Sequence, residues 1–390
     1  MVNMQFAQQH QPKPTQSVPT LKLSLSLPSD PAEIARKVVG IARDGGLEPL
    51  DKVMYLKHLY SQNRDSNRLF RVVVLGAHTL KALAGLCDRN RPIRCERDFQ
   101  DLIGDITNHF KEHPTSYNSR NIAEMMSDVS HIGYRDNSFM KMAASRLLND
   151  SATNVIDLSR ALFSAAHLDI KIPYLVRAVE EGLIEYQSLI REGNNPFRSA
   201  NTTLAQGSWA LAQMAPTRVS RVLSGDALHN PKLSPQEWTL MYQALVVGHV
   251  IEPGGLRMNE MTANFSERHG INSDSGFERS VGIALHRYCE TRGWRLEEQS
   301  VIGLVASDFC ITTDDNKRIV IECDGELYHS AIGPNGKRKM GRDILQDRLF
   351  RAHGVDHIIH LWKEDWDLDA TRAPYFLDAI FENLNLGEHR

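Results

Sequence analysis

Two pairs of segments in this chain repeat one another at a fixed interval, and that interval limits the fold more than any single motif. Asn121-Ile122-Ala123-Glu124-Met125-Met126 and onward to Gly133 superposes on Asn154-Val155-Ile156-Asp157-Leu158-Ser159 and onward to Ala166, an offset of 33 residues. The segment from Gly207 to Ala215 superposes on the one from Leu240 to Gly248 at the same offset. Within each, apolar and small residues recur at helical spacing. A period of this size belongs to stacked helical hairpins, in which each unit needs its neighbours to cover its apolar face. From Arg160 to Trp209 the interval widens to 49 residues, which predicts an insertion near Arg191–Ser199. Second helices of the hairpins are expected at Ser138–Leu148 and Pro173–Ile190. An irregular bundle of Ala/Leu-rich helices that resemble one another by chance is the alternative.

The helical pattern runs from Asp30 to about Pro253. Asp30 is a good cap and Pro31 suits a first helical turn. Breakers fall at Gly45-Gly46, His113-Pro114, Gly193-Asn194-Asn195-Pro196 and Asn230-Pro231. A solenoid would offer an extended concave surface to a linear partner such as single-stranded RNA or a peptide. The residues that precede the small ones in each unit are Ser127, Arg160, Trp209 and Tyr242. Trp209 and Tyr242 read as core rather than as platforms for bases.

Composition excludes several classes. The net charge of this 390-residue chain is −3, so it is not a basic nucleic-acid binder as a whole, although steering depends on local charge. Its five cysteines are scattered without a Cys-X-X-Cys pair, against a disulfide framework or a zinc site. No apolar run approaches the roughly 20 residues of a membrane span. There is no Walker loop, nucleophile elbow or dinucleotide fingerprint. Met1–Ser29 carries no acidic residue and reads as a disordered or targeting tail. That tail leaves organelle, bacterial cytoplasm and injected bacterial effector open as destinations. The expected layout is a tail at 1–29, a helical repeat domain at 30–253, a linker at 254–272, an α/β domain at 273–375 and a C-terminal tail at 376–390.

The chemistry-bearing residues lie in the α/β region. A helix opens at Ser275-Gly276, with Phe277, Val281, Leu285 and Tyr288 on one face and Glu278 in its first turn, where it suits the helix dipole as well as a site. Two strands follow, Ser307–Thr312 and Arg318–Asp324, joined by an Asp314-Asp315-Asn316 turn. Side-chain alternation puts Arg318, Val320, Glu322 and Asp324 on one side of the second strand. Acids on an otherwise apolar strand carry a burial cost that a cation or a phosphate-binding role would explain. Glu322 and Asp324 are expected to meet Asp308 and Glu278. Asp308, Glu322 and Asp324 are the candidate metal ligands, with Mg²⁺ or Mn²⁺ as the suited ions. A helix from Arg342 to Arg351, closed near Gly354, leads to a last strand at His357–Trp362.

The run Asp308-Phe309, Glu322-Cys323-Asp324-Gly325 with His329, then Arg342-Asp343, Gln346, Arg348 and Gly354, resembles a RAP domain. RAP domains are similar to very-short-patch-repair endonucleases of the PD-(D/E)XK fold. The resemblance implies an α + α/β chain: an N-terminal α-helical repeat solenoid of octotricopeptide or heptatricopeptide type, followed by a small restriction-endonuclease-like α/β domain. It also implies RNA binding in RNA processing, stability or translation, with some bacterial members looking like secreted effectors. Glu278, Asp308, Glu322 and Asp324 would be the catalytic set. His329, Lys337, Arg338, Lys339, Arg342 and Gln346 would contact RNA. One departure matters: a competent nuclease of this fold carries Glu-X-Lys, and here the third position is Asp324. An aspartate cannot stabilise charge on a phosphate as a lysine does. A retired site that only binds RNA, a metal-dependent endonuclease and a helical scaffold for protein partners are the three readings left open.

Overall fold

The computed structural model describes residues 30–64, 69–191, 200–253, 276–325, 329–334, 338–369, 373–382 and 384. Eleven α-helices are described before residue 254: α1 Pro31–Arg43, α2 Pro49–Asn63, α3 Leu69–Arg89, α4 Arg97–Glu112, α5 Ser119–Ile132, α6 Asn137–Leu148, α7 Val155–His167, α8 Pro173–Arg191, α9 Ala200–Met214, the single turn α10 Val219–Val222, and α11 Pro235–Val247. Their starts are set by local chemistry. Asp30 accepts a hydrogen bond from the Ala32 N–H with Pro31 behind it, and Asn118, Asp136 and Asn154 cap α5, α6 and α7 in the same way. Ser234 and Glu237 form a reciprocal capping box at α11.

These helices stack in two layers. One layer runs α1, α3, α5, α7, α9, α11, each packed on the next; the other runs α2, α4, α6, α8, α10. One continuous apolar core fills the space between them. The predicted second helices are α6 and α8, and the predicted insertion at Arg191–Ser199 is outside the described residues at 192–199. The interval is right for α9 and α11, which end at Met214 and Val247, 33 residues apart. It is wrong by one helical turn for α5 and α7. Their left-handed turn residues, Gly133 (φ 78°) and Asp169 (φ 51°), stand 36 apart, and so do their buried residues. Ala-rich helices match themselves almost as well after a slip of three residues, so sequence similarity alone did not fix the register.

The second part begins with α12, Gly276–Arg292. A four-stranded sheet follows: β1 Arg295–Ile302, β2 Val305–Thr312, β3 Arg318–Asp324 and, after α13 (Gly341–Ala352), β6 His357–Trp362. The order is β1-β2-β3-β6, with β1, β2 and β3 antiparallel and β6 parallel to β3 through the α13 crossover. A short hairpin, β4 Ser330–Ala331 with β5 Arg338–Lys339, precedes α13. Two helices, α14 Lys363–Asp369 and α15 Ala373–Glu382, end the described chain. β1 was not foreseen. It is an edge strand whose Arg-Leu-Glu-Glu-Gln-Ser run stays half exposed, so it lacks the apolar signature of the inner strands. The C-terminal tail predicted from 376 is also corrected. Leu377 and Phe381 of α15 are buried in the core of the sheet, and Arg292 of α12 holds Asp378 at 2.7 Å.

The sheet sits between two layers of helix. Phe309, Ile311, Ile319, Ile321 and Cys323 face α12, α14 and α15. Cys310 and Val320 face Phe350 of α13. The far side of α13 carries Leu345 and Leu349 into the core of the helical stack, joined there by Leu304, Ala331 and Met340. The two parts therefore share a core.

The seam follows the C-terminal ends of the first-layer helices. Arg348 of α13 donates to the Ala212 and Gln213 carbonyls at the end of α9, at 3.1 and 2.8 Å. Within the stack Arg135 donates its side chain to the Leu168 and Asp169 carbonyls after α7, while across the seam its backbone N–H donates to the Ile332 carbonyl at 2.7 Å and Arg94 donates to the Ser330 carbonyl of β4. Helix C-termini leave carbonyls without partners and carry partial negative charge, so guanidinium donors suit them. The β1–β2 turn, Gly303-Leu304, has positive φ at both residues and inserts into the stack, where Leu304 is 1% exposed and its carbonyl accepts from Gln243. Gly341 lies so close to α7 that a Cβ there would sit 1.7 Å from the Ala166 carbonyl oxygen. No described helix is long and apolar enough to cross a membrane.

Candidate functional site

The acids predicted to meet lie at one end of the sheet, close enough for their charges to act on one another. Asp308 on β2, Glu322 and Asp324 on β3 occupy the sheet face that looks toward α13. The Asp308 carboxylate accepts the Cys323 N–H at 2.7 Å, which ties the two strands together just beyond their Phe309–Ile321 pairing. Glu322 is buried; one carboxyl oxygen accepts from Gln346 of α13 at 2.9 Å, and the other, Oε1, has no hydrogen-bond partner among the described residues. Glu278 of α12 is close enough for its charge to raise the Asp308 carboxyl.

Asp324 does something different. It is almost fully buried, and its oxygens are 3.3 Å from His329 Nδ1 and 2.8 Å from His360 Nδ1. The other ring nitrogen of His360 faces Asp347 of α13 at 3.1 Å, and Lys339 of β5 reaches Asp347 at 2.9 Å. His329 also lies 3.6 Å from Asp343, which Arg342 meets at 3.4 Å. A continuous chain of ionisable groups thus runs from Lys339 through Asp347, His360, Asp324, His329 and Asp343 to Arg342.

Burial and crowding set the protonation of this site. Asp308 is pushed up to about 6, chiefly by burial; the Cys323 N–H opposes this, and Glu278 and Asp324 add to it. Glu322 is held well above the usual carboxylate range by burial first, then by the charges of Asp308 and Asp324. Both acids therefore favour their protonated forms relative to an exposed carboxylate. His360 behaves in the opposite sense. Burial pulls its pKa down, but the carboxylates of Asp324 and Asp347 against its two ring nitrogens outweigh that and the nearby Lys339, raising it to about 9. Cys323 is pushed upward by burial and by the surrounding carboxylates, so its thiol is a poor nucleophile.

The residues predicted to touch RNA divide into two groups. Gln346 and Lys339 are turned inward, onto Glu322 with the Ala306 carbonyl, and onto Asp347 with His360. His329 is a partner of Asp324 and Asp343. Arg338 is exposed and Arg342 half exposed. Lys337 lies outside the described residues. Sequence reasoning missed His360, Asp343 and Asp347 as parts of the site. His360 interrupts the apolar strand Ile358-Ile359-His360-Leu361-Trp362, and Asp343 and Asp347 fall four apart on one helix; those were the available signals.

The donor set only partly suits a divalent ion. Asp308 and Glu322 offer carboxylate oxygens from adjacent strands, and the orphaned Glu322 Oε1 is the kind of atom a hard cation would satisfy. Asp324 is turned toward the imidazoles of His329 and His360, although its Oδ2, like Glu322 Oε1, makes no aligned hydrogen bond among the described residues. Among the described residues, no group of three or more His, Cys, Asp or Glu side chains is placed to hold one metal ion. In comparisons with known proteins, no family model matches this chain and no curated protein matches it.

Proposed function

We propose that this protein binds RNA, that its α/β part is a RAP-like domain, and that the Asp308–Glu322 acid pair marks the end of the sheet where that domain engages the RNA chain. One observation carries the reading. An αβββαβ unit with a mixed sheet brings Asp308, Glu322 and Asp324 to one face, next to Glu278, in the pattern the RAP resemblance implies. The departure from Glu-X-Lys points to recognition rather than turnover. The positive charge beside Asp324 comes from His360, which is held between Asp324 and Asp347 rather than directed at a ligand. The helical stack provides a second surface along the same seam.

A second reading is a metal-dependent endoribonuclease, favoured by the orphaned Glu322 oxygen and the raised Asp308 and Glu322 carboxyls. Crowded acids of this kind become ionised once a divalent cation offsets their repulsion. That ion would be Mg²⁺ or Mn²⁺ held by Asp308 and Glu322, and it would supply electrostatic stabilisation of charge on a phosphate. Asp324 could join only if its histidine contacts opened.

The test is incubation of the purified full chain with a pool of single-stranded RNA, in Mn²⁺ or in EDTA, reading gel shift and cleavage on the same samples. The expected result is a shift in both buffers without cleavage. Cleavage that needs metal and vanishes in Glu322→Ala would establish the second reading. Absence of any shift would refute both.

A further inference from the structure

We propose that the cleft between α4 and the loop after β4 binds a small organic cation, an alkyl amine or a guanidinium, held by Asp101, Asp105 and the Tyr134 hydroxyl. The site is separate from the Asp308–Glu322 acid pair and stands whether or not the chain binds RNA.

The cleft has a volume of about 460 Å³, within the range of small-molecule sites. α4 lines it with Asp101, Gly104 and Asp105. Lys57 of α2 and Tyr134 close it from the helical stack, and Gly333 and Pro334 close it from the other part of the chain. The loop is held in place by backbone contacts. Arg135 donates its N–H to the Ile332 carbonyl at 2.7 Å, and the Ile332 N–H donates to the Gly133 carbonyl at 2.8 Å. A Cβ on Gly333 would lie 2.4 Å from the Arg135 carbonyl oxygen, so this approach needs glycine. A ligand in the cleft would touch both parts of the chain.

The acids there have more acceptor capacity than the protein fills. Asp101 and Asp105 stand one turn apart on one face of α4. Lys57 is shared between Asp98 at 2.7 Å and Asp101 at 3.1 Å. Arg97 is 3.9 Å from Asp101 and Arg64 is 3.6 Å from Asp105, both too far for a hydrogen bond. Among the described residues, Asp105 therefore accepts no hydrogen bond, and Asp101 accepts only the one from Lys57.

Tyr134 points to a ligand independently. Its side chain is 8% exposed, it lines the cleft, and its hydroxyl has no hydrogen-bond partner among the described residues. A buried hydroxyl of this kind ordinarily finds one. The hydroxyl is aimed at Gly104, where an added Cβ would lie 3.4 Å from it. Glycine in the middle of a helix weakens that helix. Here it leaves open the space between the two carboxylates and the hydroxyl.

Two carboxylates and a phenol oxygen call for a ligand rich in N–H donors. An ammonium offers three and a guanidinium five, and neither has an acceptor to waste. An anion would meet the acids and be repelled. A bare metal ion would leave most of the volume empty, and no group of three or more His, Cys, Asp or Glu among the described residues is placed to hold one.

The experiment is isothermal titration calorimetry of the full chain with two probes: putrescine, a free amine, and N-acetyl-argininamide, a stand-in for an arginine side chain of a protein. At least one should bind saturably. Putrescine alone would assign a free amine, the arginine probe alone a protein side chain, and both the cation chemistry they share. Asp105→Asn keeps the shape, removes the charge and should weaken binding about tenfold or more. Tyr134→Phe should weaken it about fivefold. Gly104→Ala should give a loss like that of Asp105→Asn while leaving the melting temperature unchanged or higher, because alanine favours a helix. Asp88→Asn, at an exposed site on α3, should bind as the wild type does. Saturation by neither probe would overturn the site. So would an affinity that is the same in the wild type, Asp105→Asn and Gly104→Ala.

Discussion

Arg348 offers the most direct perturbation of the architecture. Its guanidinium donates to two carbonyls at the end of α9, at 3.1 and 2.8 Å, from a helix that belongs to the sheet. Arg348→Met keeps most of the apolar stem and removes both donors. Hydrogen bonds from a charged donor are worth about 1.5–3 kcal/mol each, and a cation at a helix C-terminus adds about 0.3–1 kcal/mol. Arg348 is only partly buried, so water can replace part of the loss, and the expected cost is about 3 kcal/mol. The assay is urea unfolding followed by far-ultraviolet circular dichroism, dominated by the helical stack, and by near-ultraviolet dichroism of the aromatic cores. With a denaturant slope of about 3 kcal/mol per M, the midpoint should fall by about 1 M. Because the two parts share a core, both probes should move together in a single transition. A loss under about 1 kcal/mol, or two transitions of which only one moves, would refute the shared-core account.

Two further outcomes follow from the same geometry. Gly341→Ala places a Cβ 1.7 Å from the Ala166 carbonyl oxygen, a backbone atom that cannot swing aside. It should cost at least the usual 1–3 kcal/mol of overpacking, read as a lowered melting temperature; an unchanged melt would mean that α13 does not rest on α7. Asp308 has a native pKa of about 6 against 3.8 as its ordinary value. The folded chain therefore holds a proton that the unfolded chain releases between about pH 4 and 6, and Asp308 lowers stability as pH rises through that window. Asp308→Asn keeps an acceptor for the Cys323 N–H and should gain up to about 3 kcal/mol on the wild type between pH 4 and pH 7, measured in EDTA. A difference that does not vary with pH would mean that the carboxyl is not buried as described.

Local signals in the sequence foretold local structure. The Asp30-Pro31 cap, the α12 face of Phe277, Val281, Leu285 and Tyr288, the Asp314-Asp315-Asn316 turn and the left-handed Gly354 all stand where their chemistry puts them. The face shared by Glu322 and Asp324 followed from strand periodicity. What escaped was set by tertiary contact. β1 is stabilised by pairing with β2 rather than by its own pattern, and α15 is held by burial of Leu377 and Phe381. The docking of α13 on the helical stack could not be read from composition, since Leu345 and Leu349 look like any core residues until both neighbours are in view. The same holds for His360, whose role appears only when Asp324 and Asp347 close on it from two elements.

RNA binding is the central claim, and the salt dependence of that binding tests it most directly. A labelled single-stranded RNA should bind the full chain with an affinity that falls steeply and linearly in log salt, with a slope of about −2 or steeper for three or more phosphate contacts. An affinity that stays flat with salt, or no binding at low salt, would contradict the account and favour a helical scaffold for a protein partner.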